Sequence, residues 1–552
     1  MHPFNITDPL REYARQKPDQ AAVVYANPGH ADICLTFAEL DARCDRVAAG
    51  LFRMGIGPGD RVLILAQPDE HFVPFVLGLI RAGGVVVMVD PGRPMDEFLN
   101  CIAETEPAVL LAAPVVHAAA YLFPRAFGKV TRRIVTAGRF PGAVGIDSLL
   151  AGPPEEFHPV TGLDSEAAII FTTGSTGKPK GVVYTQRILL AQCQALQTML
   201  RLSGSDTGLF GASAMLLLSL ISGVTSIVSP VLNAPPQMVD VALYVHLLEK
   251  YQVTLSFSSP ALCRRLVQWN SQAQGQLPHL RQWVVGGAPV DVGLVQAVQS
   301  MLPNGELMVS LGSTEAMPVA MIGAKAVLEK SSSSVLANAG ACTGYPPPGH
   351  ELRVIPIQDG PIPEWSDALR VAPGQVGEII FRGPVVTGAY LHNPDLTALA
   401  KIKGDQSVWH RMGDVGVIDA QGCLWFYGRK SQRVETRRGV LFTVPCEAVF
   451  NRHPAVARSA LVGLGPRGHP TPVMVIELAP EFRRLNRTAR QNLAREILEF
   501  ASADPLTQSI RHTAVFPGTF PVDIRHNSKI NREWLTEWVK RRPTRIIECQ
   551  NA

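Results

Sequence analysis

Apolar residues recur at helical spacing through LTFAELDARCDRVAAGLFRMG from Leu35, which predicts an amphipathic helix. RVLILAQ from Arg61 then reads as a short buried strand, HFVPFVLGLIRAGG from His71 as a helix, and VVVMVD from Val85 as a strand again. Strands that alternate with helices imply a parallel sheet covered on its faces. The pattern continues past residue 165 with strand candidates AAIIF from Ala167, VTLSFSS from Val253, WVVGG from Trp283 and LMVSLG from Leu307. Near residue 375 the texture changes. GEIIFRG from Gly377 and GCLWFYGRK from Gly422 are short runs between turns, as in an antiparallel β subdomain. Helical patterning returns in RQNLAREILEFASA from Arg490, within a more basic tail. The expectation is an α/β protein: a large N-terminal body of layered sheets with a β subdomain, residues 1–428, and a small α+β C-terminal domain, residues 432–552, joined at the turn Gly428–Ser431. The serine run Ser331–Ser334 reads as an exposed loop.

Between Asp206 and Asp240 there is no charged residue, and LFGASAMLLLSLISGVTSIVSPVL is long enough to span a bilayer. Five serines, two glycines and the prolines at and beyond its end interrupt it, and no flanking Lys or Arg sets an orientation. It therefore reads as a buried helix and strand of a large core, and no transmembrane segment is expected.

The 552 residues allow three or four domain-sized units, and 46% hydrophobic against 18% charged residues exclude a wholly disordered chain. Fifty-one Lys and Arg against 47 Asp and Glu give +4, too balanced for nucleic acid or an anionic membrane to be the main partner. Nine scattered cysteines form no C-x-x-C pair, and the N-terminus lacks the basic and apolar regions of a signal peptide, so a reduced, cytoplasmic setting is expected. Asn5-Ile6-Thr7 matches a glycosylation sequon by chance. There is no HExxH and no GxSxG, which leaves zinc protease and serine hydrolase readings without support.

The sharpest chemical feature begins at Ala167: AAIIFTTGSTGKPKGVVYTQ. An apolar strand runs into Thr172, Thr173, Gly174, Ser175, Thr176, Gly177, Lys178, Pro179, Lys180 and Gly181. The glycines let backbone N–H groups turn towards an anion, the hydroxyls add donors, and the lysines add charge. Pro179 after Lys178 excludes a Walker A loop, which needs Gly-Lys-Ser/Thr leading into a helix.

FTTGSTGKPKG resembles the signature of the adenylate-forming superfamily of acyl-CoA synthetases, adenylation domains and luciferases, and five further motifs follow in that family's order. GGAPV (Gly286, Gly287, Ala288, Pro289) resembles the loop that lines the adenine. SLGSTEA (Ser310, Gly312, Ser313, Thr314, Glu315) resembles the element in which Thr314 would contact phosphate and Glu315 would hold Mg²⁺. RMGDVGVID resembles the motif whose Asp, here Asp414, would bind the ribose hydroxyls, GRK resembles the hinge motif with Arg429 reaching the nucleotide, and NSKINR resembles the C-terminal element whose lysine, here Lys529, would serve adenylation. The resemblance thus implies ATP and Mg²⁺ as cofactors, Lys529, Glu315 and Thr176 as catalytic residues, and Thr172 to Gly177 with Lys180 as the phosphate grip.

Departures from the family pattern narrow the reading. Leu311 replaces an aromatic residue near the adenine; GASAMLLLSL from Gly211 stands at the acyl pocket, where it either greases a pocket for a long alkyl chain or packs the core. Ser431 and Glu435 replace charged hinge residues, and Ser528 precedes the lysine. GRKSQRVET and FPVDIRHNSKI are similar to a branch of the superfamily, the β-lactone synthetases of long-chain olefin biosynthesis. That branch implies a long-chain 2-alkyl-3-hydroxy acid as substrate, activated as acyl-AMP and closed to a β-lactone by its own hydroxyl, and the company of other enzymes of a hydrocarbon-biosynthesis assembly. The alternatives are a long-chain acyl-CoA or acyl-carrier-protein ligase, and a non-catalytic nucleotide-binding scaffold.

Overall fold

Thr36 opens the first long helix with a capping box: its Oγ1 accepts from the Glu39 amide at 3.2 Å while its own amide donates to Glu39 Oε2 at 2.9 Å. The helix Phe37–Arg53 then buries Leu40, Cys44, Val47 and Leu51, one stripe at three- and four-residue spacing, against the helix Phe72–Arg81. The computed structural model describes residues 4–152, 157, 161–173, 179–232, 234–273, 275–333, 340–405, 407–466, 468–522 and 529–548.

The predicted alternation builds two large sheets. One has seven strands, running in space Ala143–Gly145, Arg132–Val135, Val109–Ala112, Arg61–Leu65, Val85–Met88, Glu166–Thr173 and Pro179–Thr185, parallel except for the last pair. The other has eight strands and is parallel at its centre, where Thr207–Phe210, Leu255–Ser258, Gln282–Gly286 and Glu306–Ser313 lie side by side. Its antiparallel edge, Ala316–Gly323, returns directly from Glu306–Ser313. A shared apolar core joins the sheets, with Val62 and Val86 from one, Leu255 and Val284 from the other, and Val47, Phe75 and Leu216 from helices.

The chargeless stretch is interior. Helix Ser213–Ile221 and strand Thr225–Val228 are mostly buried, and no helix among the described residues is long and apolar enough to cross a membrane. The serine run departs from expectation: Ser331–Ser333 continue the helix Ala324–Ser333 instead of forming a loop, and Ser334 lies outside the described residues. The run follows a good helical segment, and the Ser332 hydroxyl donates to the Glu329 carbonyl at 2.8 Å, which lets serine remain helical.

From residue 341 an antiparallel sheet forms around the long strand Val408–Ile418, with Gly377–Arg382 on one side and Leu424–Arg429 on the other. Beyond Arg429 the chain makes a 3₁₀ turn, a small hairpin, and a four-stranded sheet of Val456–Leu464, Thr471–Leu478, His512–Phe516 and Ile546–Glu548. Helices Thr443–Phe450, Arg487–Ser502 and Arg532–Lys540 pack on this sheet around their own apolar clusters, which include Phe450, Ile497 and Trp538.

Candidate active site

The described motif residues converge on one cleft of about 2130 Å³, between the sheet ends of the body and the C-terminal unit. Thr172, Lys180, Gly286, Gly287, Ala288, Pro289, Ser310, Gly312, Ser313, Thr314, Glu315, Asp414, Arg429 and Lys529 all line it. Gly174, Ser175, Thr176 and Gly177 lie outside the described residues, and Thr173 is described by its backbone alone.

The phosphate hairpin is held at its base. Thr172 pairs with Lys180 and Thr173 with Pro179 across antiparallel strands. The Lys180 ammonium stands 5.1 Å from the centre of the Tyr390 ring, and burial lowers its pKa although Glu315 opposes the shift.

The adenine loop and the Ser-Thr-Glu element are neighbours because Gly286 pairs with Ser310 across parallel strands. A Cβ at Gly286 would lie 2.8 Å from the Ser310 carbonyl, so only glycine fits that approach, and Gly287 turns the chain with φ of +91°. The pairing register shifts between Leu311 and Ser313, and the Ser313 hydroxyl oxygen is buried with no hydrogen-bond partner. An orphaned hydroxyl in a cleft is a donor awaiting a ligand.

Glu315 is 8% exposed and accepts a hydrogen bond from the Tyr390 hydroxyl at 2.6 Å. Burial pushes its pKa up, but the Tyr390 hydroxyl, a backbone hydrogen bond and Lys401 pull the other way, and the carboxyl is held below its ordinary value. The same burial pushes Lys401 down to about 7 and His410, which also faces Lys401, down to about 3. At neutral pH Glu315 is therefore a carboxylate and His410 a neutral imidazole, with its Nδ1 3.2 Å from the Ala400 carbonyl.

Asp414 and Arg429 face each other across adjacent strands, 2.8 Å apart, with Asp414 buried. Burial raises the Asp414 pKa, against the pull of Arg429 and Lys529. Lys529 itself is exposed at the rim, and its charge reaches Asp414. The loop that carries it is anchored by Arg532, whose Nη2 donates to both carboxylate oxygens of Glu447 at 2.7 Å. Before it, the linker is tied to the body: Lys430 pairs with the buried Glu378 at 2.9 Å and Arg433 with Asp359 at 3.3 Å.

Several of these groups escaped the sequence reading. Tyr390, Lys401 and His410 belong to none of the motifs singled out; Lys401, a charge set between the apolar residues Ala400 and Ile402, was the available signal. The GASAMLLLSL run divides: Ala212, Ala214 and Met215 line the cleft, whereas Leu216, Leu218 and Leu220 are core. Leu311 does line the cleft, together with Phe257 and Phe426.

The family model for AMP-binding enzymes matches residues 10–391. The chain is 37% identical to the olefin β-lactone synthetase of Stenotrophomonas maltophilia (strain K279a), over 97% of this chain and 98% of that one. It is 36% identical to the olefin β-lactone synthetase of Xanthomonas campestris pv. campestris, over 97% of both. This chain belongs to the AMP-binding enzymes, on their olefin β-lactone synthetase branch. The anthranilate CoA ligase AuaEII, solved in complex with anthranoyl-AMP, shares the fold with a TM-score of 0.80, 18% identity and 98% coverage of both chains. Membership makes the chain an AMP-forming ligase that uses ATP, and it accounts for a cleft in which cations, hydroxyls and two buried carboxylates face one another.

Proposed function

We propose that this enzyme activates a long-chain 2-alkyl-3-hydroxy acid as its acyl-AMP and then releases a β-lactone, AMP and pyrophosphate. The observation that carries the reading is the meeting of Lys180, Glu315, Asp414, Arg429 and Lys529 on one cleft whose wall also includes Ala214, Met215, Phe257 and Leu311. Asp414 would take the ribose hydroxyls, and the Gly286–Pro289 loop the adenine. Thr172, Thr173, Thr314 and Lys180, with Gly174 to Gly177, would take the phosphates, and Thr176 would act there as a catalytic donor. Ser310, Gly312 and Ser313 would complete the wall beside the nucleotide, and Arg429 would contact it while holding Asp414.

Glu315 suits Mg²⁺. It is an ionised, buried carboxylate, and among the described residues no group of three or more His, Cys, Asp and Glu gathers into a closed metal cage. A single carboxylate is what magnesium commonly takes when phosphates supply its other ligands. Bound there, the ion would draw charge from the phosphate oxygens.

In the first step a substrate carboxylate oxygen bonds to the α-phosphorus and the bond to pyrophosphate breaks. Lys529 would stabilise the charge that develops on the phosphate oxygens. In the second the substrate's 3-hydroxyl oxygen attacks the acyl carbonyl, loses its proton and expels AMP. The anhydride is needed because ring strain makes direct dehydration uphill, and the attack is intramolecular, so orientation contributes several kcal/mol. No second substrate has to enter. The linker pairs Lys430–Glu378 and Arg433–Asp359 suit such a reaction, since they tie the C-terminal unit where Lys529 already lines the cleft.

The test is incubation of purified protein with ATP, magnesium and a panel of 2-alkyl-3-hydroxy acids without any thiol, followed by mass analysis. A product lighter than the acid by one water, with AMP, supports the proposal. Strict dependence on coenzyme A or a carrier protein would instead make it a ligase of that kind, and absence of pyrophosphate release with every acid would make it a nucleotide-binding scaffold. Partner enzymes of a hydrocarbon-forming assembly and a cytoplasmic setting belong to the same proposal.

A further inference from the structure

Arg93 sits on the loop between strand Val85–Met88 and helix Met95–Thr105. Its side chain is only 6% exposed, yet Nε and Nη1 are buried with no hydrogen-bond partner. Among the described residues its ion-pair partner is Glu97, 3.9 Å from Nη1 and itself 36% exposed, too far for a hydrogen bond. A buried guanidinium left short of acceptors carries a penalty, and such groups persist where a ligand supplies the missing oxygens.

The topology says which ligand. Strand Val85–Met88 runs parallel to Glu166–Thr173, with Met88 opposite Ile170, so the two strands end side by side. Arg93 therefore leaves the sheet at the end where Thr172 faces Lys180, and all three residues line the same cleft. Helix Met95–Thr105 packs on strand Pro179–Thr185, which begins beside Lys180. The apolar wall stands on the other sheet, on Phe257, and on the start of helix Ser213–Ile221. We propose that Arg93 is a second cationic contact beside Lys180 for the triphosphate tail of ATP, and that it holds pyrophosphate as it leaves. The planar fork of arginine matches two phosphate oxygens at once, which a lysine cannot do. The inference rests on the ATP-to-AMP reading above and adds a residue that none of its motifs contains.

Full-length Arg93→Ala and Arg93→Lys proteins are compared with wild type by calorimetric titration of ATP, magnesium pyrophosphate and AMP. Loss of a charge-assisted contact should weaken ATP and pyrophosphate by about tenfold or more in Arg93→Ala, with lysine restoring part of it. AMP, which lacks the outer phosphates, should bind as in wild type. Equal losses for ATP and AMP, no loss for ATP, or a change confined to the KM of the acid would overturn the proposal. Should Arg93→Ala fail to fold, Arg93→Lys and Arg93→Gln make the same ATP-against-AMP comparison. A wild-type protein that binds ATP but releases no pyrophosphate would sink the functional reading, while the discrimination between ATP and AMP would still decide Arg93.

Discussion

Tyr390→Phe removes one oxygen atom from the centre of the cleft. The ring stays, so the Lys180 ammonium keeps its aromatic face at 5.1 Å, but Glu315 Oε1 loses the hydroxyl that donates to it at 2.6 Å. A hydrogen bond to a charged group contributes about 1.5–3 kcal/mol, and the tyrosine oxygen is buried with the carboxylate it serves, so solvent cannot replace it cheaply. At about 1.4 kcal/mol per decade this corresponds to roughly tenfold to a hundredfold in the kcat/KM for ATP. Pyrophosphate release would be followed against ATP and against magnesium, with the magnesium concentration for half-maximal rate expected to rise. Repeating the measurement in a Glu315→Gln background separates the pair from its surroundings, because a hydrogen bond lost only once makes the two changes non-additive. Wild-type kcat/KM and magnesium dependence in Tyr390→Phe, or full additivity with Glu315→Gln, would refute the idea that Tyr390 positions Glu315.

Other outcomes can be set down briefly. Lys529→Ala should slow adenylate formation by two orders of magnitude or more, about 3 kcal/mol, while ATP affinity measured by titration stays near wild type; unaltered pyrophosphate release would overturn its catalytic assignment. Lys401 has its pKa lowered from 10.5 to about 7 by burial, so the folded protein binds fewer protons than the unfolded chain between those values. Its destabilising effect is complete below pH 7 and fades towards pH 10.5, and Lys401→Met should raise the melting temperature more at pH 6 than at pH 9. The same gain at both pH values, or a loss at both, would show that the ammonium is not buried at this cost. Arg532→Ala leaves the buried Glu447 carboxylate without its bidentate partner and should cost about 3 kcal/mol of stability in denaturant titration; a change under about 0.5 kcal/mol would mean the pair does not anchor the Lys529 loop.

Periodicity and motif order carried much of the fold and most of the described site. Strands such as Arg61–Leu65 and Val85–Met88, and helices such as Phe37–Arg53 and Phe72–Arg81, were legible because a buried face imposes its own period on the chain. Asp414, Arg429 and Glu315 were legible because their neighbours are glycines, hydroxyls and turns in an order few other constraints would produce. The serine run misled because local propensity for a loop is weak, and a helix already begun at Ala324 continued through Ser333. The alkyl-pocket run could not be divided by eye. Ala214 and Leu216 differ in which side of one helix they occupy, and facing is a property of the partner surface.

By its own order of residues, then, the chain determined that strands and helices alternate, where glycine must allow a close approach, and which groups could meet a nucleotide. Only the tertiary structure decided that Tyr390 donates to Glu315, that Lys401 and His410 are buried beside it, and that Arg93 reaches the cleft with two buried nitrogens lacking acceptors. The reason is physical: a side chain's charge, hydrogen bonds and exposure depend on what the fold brings within a few ångströms, and Arg93 and Lys180 stand 87 residues apart along the chain.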